Sequence, residues 1–240
     1  ETIRNVINSA MRGIRQEYIS IREKTDEVHL RDVYLYPLVD YYQSLVPGVV
    51  IMAIFLGTMT AGVFNLVMDK FMGIDESYLL TPLRKSEIVS GLVISGLIIT
   101  TVTASAVFII SMLITGITFP VSIGQWISLL VIIILTTLAL LSMMFVFLGR
   151  ATHPRIVGIF SGFLNVIFFF PSGAVYPVES LPGWLQAFSK INPEAYAVHA
   201  LKAILFKDAG LAVVKGDILF LLVFTNVMML LAITTFKRRL

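Results

Sequence analysis

The sequence predicts an all-α membrane protein with about five transmembrane helices, and three observations predict it. Of the 240 residues, 57% are hydrophobic and only 14% charged, with a mean hydropathy of +0.89, whereas soluble domains carry about 25% charge. The apolar residues gather into blocks of about twenty or more, the length an α-helix needs to cross roughly 30 Å of hydrocarbon at about 1.5 Å per residue. Five such blocks run from Leu45 to Met68, Ile88 to Phe119, Ile123 to Gly149, Ile156 to Tyr176 and Ile218 to Phe236, and no Asp, Glu, Lys, Arg or His lies inside any of them.

The chain divides at about residue 44, ahead of the first block. From Thr2 to Lys24, Ile3, Val6, Ile7, Ala10, Met11, Ile14, Tyr18 and Ile21 recur at intervals of three and four, with Arg4, Arg12, Arg15 and Glu17 on other faces. That spacing predicts an amphipathic helix, open to two readings: it covers a small soluble domain, or it lies in the membrane interface. Val28 to Tyr36 suit a short strand, ended by Pro37. His29 has no second His, Cys or close acid pair at metal spacing, so it reads as a surface residue and no metal site is expected. The absence of cysteine excludes structural disulfides and thiolate metal sites, and a net charge of +3 does not imply nucleic acid. The chain starts at Glu1 rather than Met, with no signal or transit sequence left to read.

Pro47 and Gly48 open the first span. The second is rich in small residues, including Gly91, Ser95, Gly96, Thr100 and Ser105. Such residues allow close helix contact and can also line a path for cargo. Phe119, Pro120 and Gly124 make an uncharged turn, and Trp126 suits an interfacial anchor for the third span. That span ends in the short basic loop Gly149 to Arg155, which contains Arg150 and Arg155. The fourth is broken by Pro171, Ser172 and Gly173. Between Tyr176 and Lys215 two helices are too short to cross: one from Leu181 to Phe188 with Pro182 near its start, the other capped by Asn192-Pro193 and reaching about Phe206. Rimmed by Tyr176, Trp184 and Tyr196, they are expected to dip into the membrane interface or re-enter the protein.

Lys237, Arg238 and Arg239 directly follow the fifth span, which places the C-terminus in the cytoplasm by the positive-inside bias. Counting back puts the loop Gly149 to Arg155 inside, the turn Phe119 to Gly124 outside, and the stretch Asp69 to Glu87 inside. Residues 1–44 then fall outside the cell, where their six bases are matched by seven acids. The odd span count leads to the expectation that a further transmembrane helix and the rest of an outer domain precede Glu1. The Asp69 to Glu87 hinge carries four acids and three bases between two apolar blocks. It is too polar for lipid, and with a helix start near Ser77, acids in the first turn and Pro82 as a stop it suits a short cytoplasmic coupling helix read by a soluble partner.

Two stretches carry a resemblance to a family. In the hinge, Gly73, Glu76, Leu79, Thr81 and Pro82 fit a glycine, glutamate, leucine and Thr/Ser-Pro spacing, with Arg84 to Gly91 leading into the next helix. Further on come Phe170-Pro171-Ser172-Gly173, Tyr176-Pro177, Leu181-Pro182-Gly183-Trp184 and Asn192-Pro193. In these features the chain resembles the permease subunits of type-2 ATP-binding-cassette (ABC) transporters, exporter branch, and among them the longer members with an outer domain after the first span. It departs from their pattern at Ile74, Asp75 and Tyr78.

The resemblance implies a multi-pass subunit of a prokaryotic cytoplasmic membrane that forms the substrate pathway with a second permease copy. It also implies a separate nucleotide-binding subunit that binds ATP and Mg, this chain holding no cofactor and performing no catalysis. Coupling to that subunit is expected at Gly73, Asp75, Glu76, Leu79, Thr81, Pro82 and Arg84, with a second cytoplasmic contact at Arg150 and Arg155. An outer gate or re-entrant segment is expected at Pro171, Ser172, Gly173, Tyr176, Pro182, Trp184, Asn192 and Pro193. The residues agree independently: no glycine-rich phosphate loop occurs, and the spans lack the buried charges on which ion-driven carriers rely. An ion-driven carrier or passive channel is the alternative. Ser161 in the fourth span, with His153 and His199 outside it, does not make an intramembrane protease. A pathway lined by Phe, Met, Thr and Asn would suit amphipathic drugs, lipids or lipid-linked glycans.

Overall fold

The computed structural model describes residues 8, 11–13, 41–74, 85–117, 122–207 and 210–235, and the chain forms two compact units, Glu1–Leu38 and Val39–Leu240. In the first unit the described residues, Asn8 and 11–13, are helical and fall within the expected amphipathic helix. The rest of that helix and the strand expected from Val28 to Tyr36 lie outside the described residues. The second unit is helical throughout its described residues, with no strand among them.

Among the described residues, five helices are long and apolar enough to cross a membrane. They are α1 (Tyr41–Phe71), α2 (Lys85–Thr115), α3 (Ile123–Leu148), α4 (Pro154–Phe169) and α7 (Lys215–Thr235); α5 (Gly183–Ser189) and α6 (Pro193–Lys207) are shorter. This is a multi-pass, all-α membrane protein. Helix α1 begins ahead of the expected Leu45, because Tyr41–Ser44 already forms a helical turn and Pro47 lies in the first turn of Val46–Gly57, where a missing N–H costs nothing. Between Thr58 and Phe64 the same helix widens into a π-helix before returning to α geometry. Helix α4 ends before the expected Tyr176: Phe170–Ser172 tighten into a 3₁₀ turn, and Gly173 at φ +78° turns the chain away.

The centre of the unit is α3, with 67% of its most apolar stretch buried against 11% for α7. Ser122 starts it with a capping box: its hydroxyl accepts from the Gly124 N–H at 3.2 Å, and its own N–H donates to Gln125 Oε1 at 3.4 Å. Around α3 pack α1, α2, α6 and α7, and Phe55, Leu66, Leu140, Leu141, Met144 and Leu201 are fully buried between them. In lipid the association of such helices rests on close packing and buried hydrogen bonds rather than on exclusion of water. Small residues set the spacing. A Cβ on Gly57 would lie 2.7 Å from Thr100 Cγ2, and one on Gly96 would lie 3.0 Å from Leu141 Cδ1 and 3.4 Å from the Gly62 Cα. Of the two readings of the small residues in the second span, Gly96 and Thr100 thus serve helix contact.

Gly57→Ala is therefore expected to destabilise the protein by about 1–3 kcal/mol, the usual cost of overpacking. Thr100 is fully buried and β-branched, with no flexible end to swing aside. Thr100→Ala in the same protein restores most of the loss, which a double-mutant cycle of thermal unfolding in detergent measures.

Candidate functional site

The two polar stretches singled out in the sequence come to opposite ends of the antiparallel helices. At one end α1 stops in a Schellman motif: the Ile74 N–H bonds the Asp69 carbonyl at 2.9 Å and the Gly73 N–H bonds the Lys70 carbonyl at 3.2 Å. Gly73 takes φ +74°, a conformation that a side chain would strain. From the last turn of α1, Lys70 Nζ donates to the carbonyl of Gly149, the C-cap of α3, at 2.6 Å. Beside it the rings of Phe71 and His153 meet with centroids 4.7 Å apart. The start of the hinge and the basic loop bearing Arg150 and Arg155, both exposed, therefore form one surface. The hinge residues Asp75, Glu76, Leu79, Thr81, Pro82 and Arg84 lie outside the described residues, as do Phe119, Pro120 and the terminal Lys237, Arg238 and Arg239.

The other end is closed by the segment that follows α4. Pro171, Ser172, Gly173 and Ala174 are buried, and Ala174 Cβ fills the space beside Gly48 in the first turn of α1, 2.9 Å from where a Cβ there would stand. Ser172 Oγ donates to the Phe169 carbonyl at 2.6 Å and accepts from the Ala174 N–H at 3.3 Å, so the turn after Pro171 is held by its own hydroxyl. Pro182 precedes α5, and Gln186 pins that helix by donating to the carbonyls of Leu181 and Glu179 at 2.8 and 3.1 Å. Tyr176, Pro182 and Trp184 are exposed on this cap. Asn192 is fully buried and joins three pieces at once: its Oδ1 caps α6 by accepting from the Glu194 N–H at 3.0 Å, while Nδ2 reaches back to the Phe168 carbonyl of α4 at 2.6 Å. Pro193 fills the first position of α6, where no N–H is needed.

Comparison with known proteins adds the lineage. A family model described as ABC-2 type transporter matches residues 13–206, a stretch that includes both ends of the helices. The chain belongs to the ABC-2 type transporter family. A similar protein is the probable multidrug ABC transporter permease YbhR of Escherichia coli strain K12, 27% identical over 237 residues, which are 98% of this chain and 63% of that one; the strain O157:H7 counterpart gives the same values. The putative transport permease ycf38 of Cyanophora paradoxa is 26% identical over 169 residues, 68% of this chain and 56% of that one. The chain thus spans less than two thirds of the length of these relatives. No solved structure gives a significant match.

At the cap of this ABC-2 chain Lys202, Asp217 and Glu194 have no role legible in the sequence, where His199 enters only as an unfit protease group. Lys202 Nζ donates to the Gly173 carbonyl at 2.7 Å, and burial lowers the lysine's pKa against the opposing pull of Glu179. His199 Nδ1 lies 2.8 Å from Asp217 Oδ2, tying α6 to the first turn of α7 beside an open, mostly apolar cavity of ≈ 410 Å³ that Val178, Glu179, Lys190 and Tyr196 also line. Glu194 is fully buried, and neither carboxylate oxygen has a hydrogen-bond partner. The signal of its burial was present in the sequence, because Glu194 shares the buried helical stripe of Ala197, Val198 and Leu201. Ser161 donates back to the Val157 carbonyl of its own helix, and His199 is taken by Asp217, so these residues assemble no nucleophilic pair.

Proposed function

We propose that the chain is the permease subunit of an ATP-driven exporter in a prokaryotic cytoplasmic membrane, and that it forms the pathway as a dimer with a second permease. The hinge end faces the cytoplasm and binds a separate nucleotide-binding subunit, which holds the ATP and Mg, while this chain is not itself an enzyme. The cap end and residues 1–44 face outward, and the C-terminus lies inside. The observation that carries this reading is the Lys70 to Gly149 bond: it joins the start of the hinge to the basic loop Gly149 to Arg155 in one surface that suits a soluble partner. Gly73, Asp75, Glu76, Leu79, Thr81, Pro82 and Arg84 transmit the partner's closure to α1 and α2, and Arg150 and Arg155 supply the second contact. Pro171 to Pro193 form the outer gate. The description of the Escherichia coli relative as a probable multidrug permease, together with the apolar character of the spans, supports amphipathic small molecules as cargo.

The test is purification of the full-length protein from its native membrane. An ATPase subunit is expected to accompany it, and ATP hydrolysis by the complex is expected to rise when amphipathic compounds are added. Transport by the purified permease with no nucleotide-hydrolysing companion would instead establish the ion-driven or channel alternative.

A further inference from the structure

Glu194 has no part in the coupling just described, and its surroundings are unusual for an acid. It starts a stripe continued by Ala197, Val198, Leu201 and Ile204, all buried, at the spacing by which a helix turns an apolar face to its neighbours. Helix α6 packs against α1, α3, α7 and the turn Phe170–Ser172. The Val46–Gly57 segment of α1, all of α3 and the turn contain no ionisable side chain. Helix α7 brings Lys215 and Asp217, and Asp217 is held by His199. On α6 itself Lys202 is bonded to the Gly173 carbonyl, Tyr196 to the Lys190 carbonyl, and Lys207 lies at the far end. Both oxygens of Glu194 are left without a partner at 0% exposure.

A neutral carboxyl tolerates such a place far better than an ionised one. Burial accordingly pushes the Glu194 carboxyl from its ordinary 4.5 up to about 8. The N-terminus of α6 works in the opposite sense by favouring an anion, but desolvation outweighs it.

We propose that Glu194 is a proton site that latches the cap: packed α6 holds it as the neutral acid, and movement of α6 off the core breaks the O–H bond and passes the proton to water. The proposal rests on the gate reading of the cap. The packed arrangement binds this proton more tightly than the open one, so its advantage is complete below about pH 4.5 and is lost progressively as the pH rises to about 8. Within that window each pH unit shifts the ratio of open to packed by about tenfold.

The test uses the full-length protein with its partners in lipid vesicles, carrying Ala197→Cys as reporter. The 240 residues contain no cysteine, and Ala197 lies on the same buried face one turn from Glu194. Maleimide labelling is followed from about pH 6 to 8, and each rate is divided by that of the protein also carrying Glu194→Gln, which cancels the pH dependence of the thiol. The ratio is expected to rise by about tenfold per pH unit; a flat ratio overturns the latch. If labelling is fast at every pH in both proteins, the latch alone fails, whereas a cap that never labels sinks the gate reading with it. Should the cysteine variant not fold, infrared spectra of the protein without it decide. A protonated-carboxyl band at about pH 6 that fades by about pH 9 and is missing from Glu194→Gln supports the latch, and a carboxylate already ionised at about pH 6 overturns it.

Discussion

Bridging Tyr196→Cys to Phe220→Cys with a short, reducible bifunctional thiol reagent is expected to slow transport by about tenfold or more, the scale of a gating step that has been blocked. Full activity should return when the bridge is cleaved. The native rings stack at 3.7 Å between centroids with planes 12° apart, so the two positions face each other across α6 and α7. Removing that stack costs about 0.5–1.5 kcal/mol by itself, which is why the same doubly substituted protein is compared before and after reduction. The bridge leaves the hinge end untouched. It only forbids α6 from parting from α7. If cargo crosses at an undiminished rate in the bridged protein, the cap does not move there during transport.

Charge reversal at the other end, Glu76→Arg, is expected to uncouple ATP hydrolysis from transport while membrane insertion stays intact. Asp75 and Glu76 are adjacent acids in a hinge that also offers Leu79, Thr81 and Pro82, a small apolar and polar set suited to a groove on a partner. Placing a base where the partner is shaped for an acid costs about 2–4 kcal/mol, or about 30- to 700-fold in affinity for the nucleotide-binding subunit. Titrating that subunit against vesicles of each variant measures the loss, and its shrinkage at high salt identifies it as electrostatic. Unchanged transport in the variant would remove the hinge from the mechanism.

The parts of this molecule that local chemistry determines could be read in advance. Uninterrupted apolar length marks the five long helices, Pro171 to Gly173 mark the break after α4, and Asn192-Pro193 mark the start of α6. What could not be read depends on partners distant in the chain. The Lys70 to Gly149 bond spans 79 positions, and no spacing rule anticipates it. Tyr196 has the residue type of an interfacial anchor, yet its ring lies flat on Phe220. Glu194 misleads for a different reason: an acid in the first turn of a short helix reads as an ordinary complement to the helix dipole. Only the neighbours on its stripe reveal that this acid points into the protein.

The wide turn at Thr58–Phe64 also bears on how the first span is aligned with its relatives. Its contact glycines, Gly57 and Gly62, are separated by five positions, whereas Gly96 and Thr100, which face them on α2, are separated by four. A regular α-helix brings every fourth residue back to one line, and the π-helical stretch needs one residue more to do so. The span has in effect swallowed an insertion without forming a loop. A relative lacking the wide turn superimposes on it only through a single-position gap between the two glycines, and any heptad count carried along α1 loses its phase at that point.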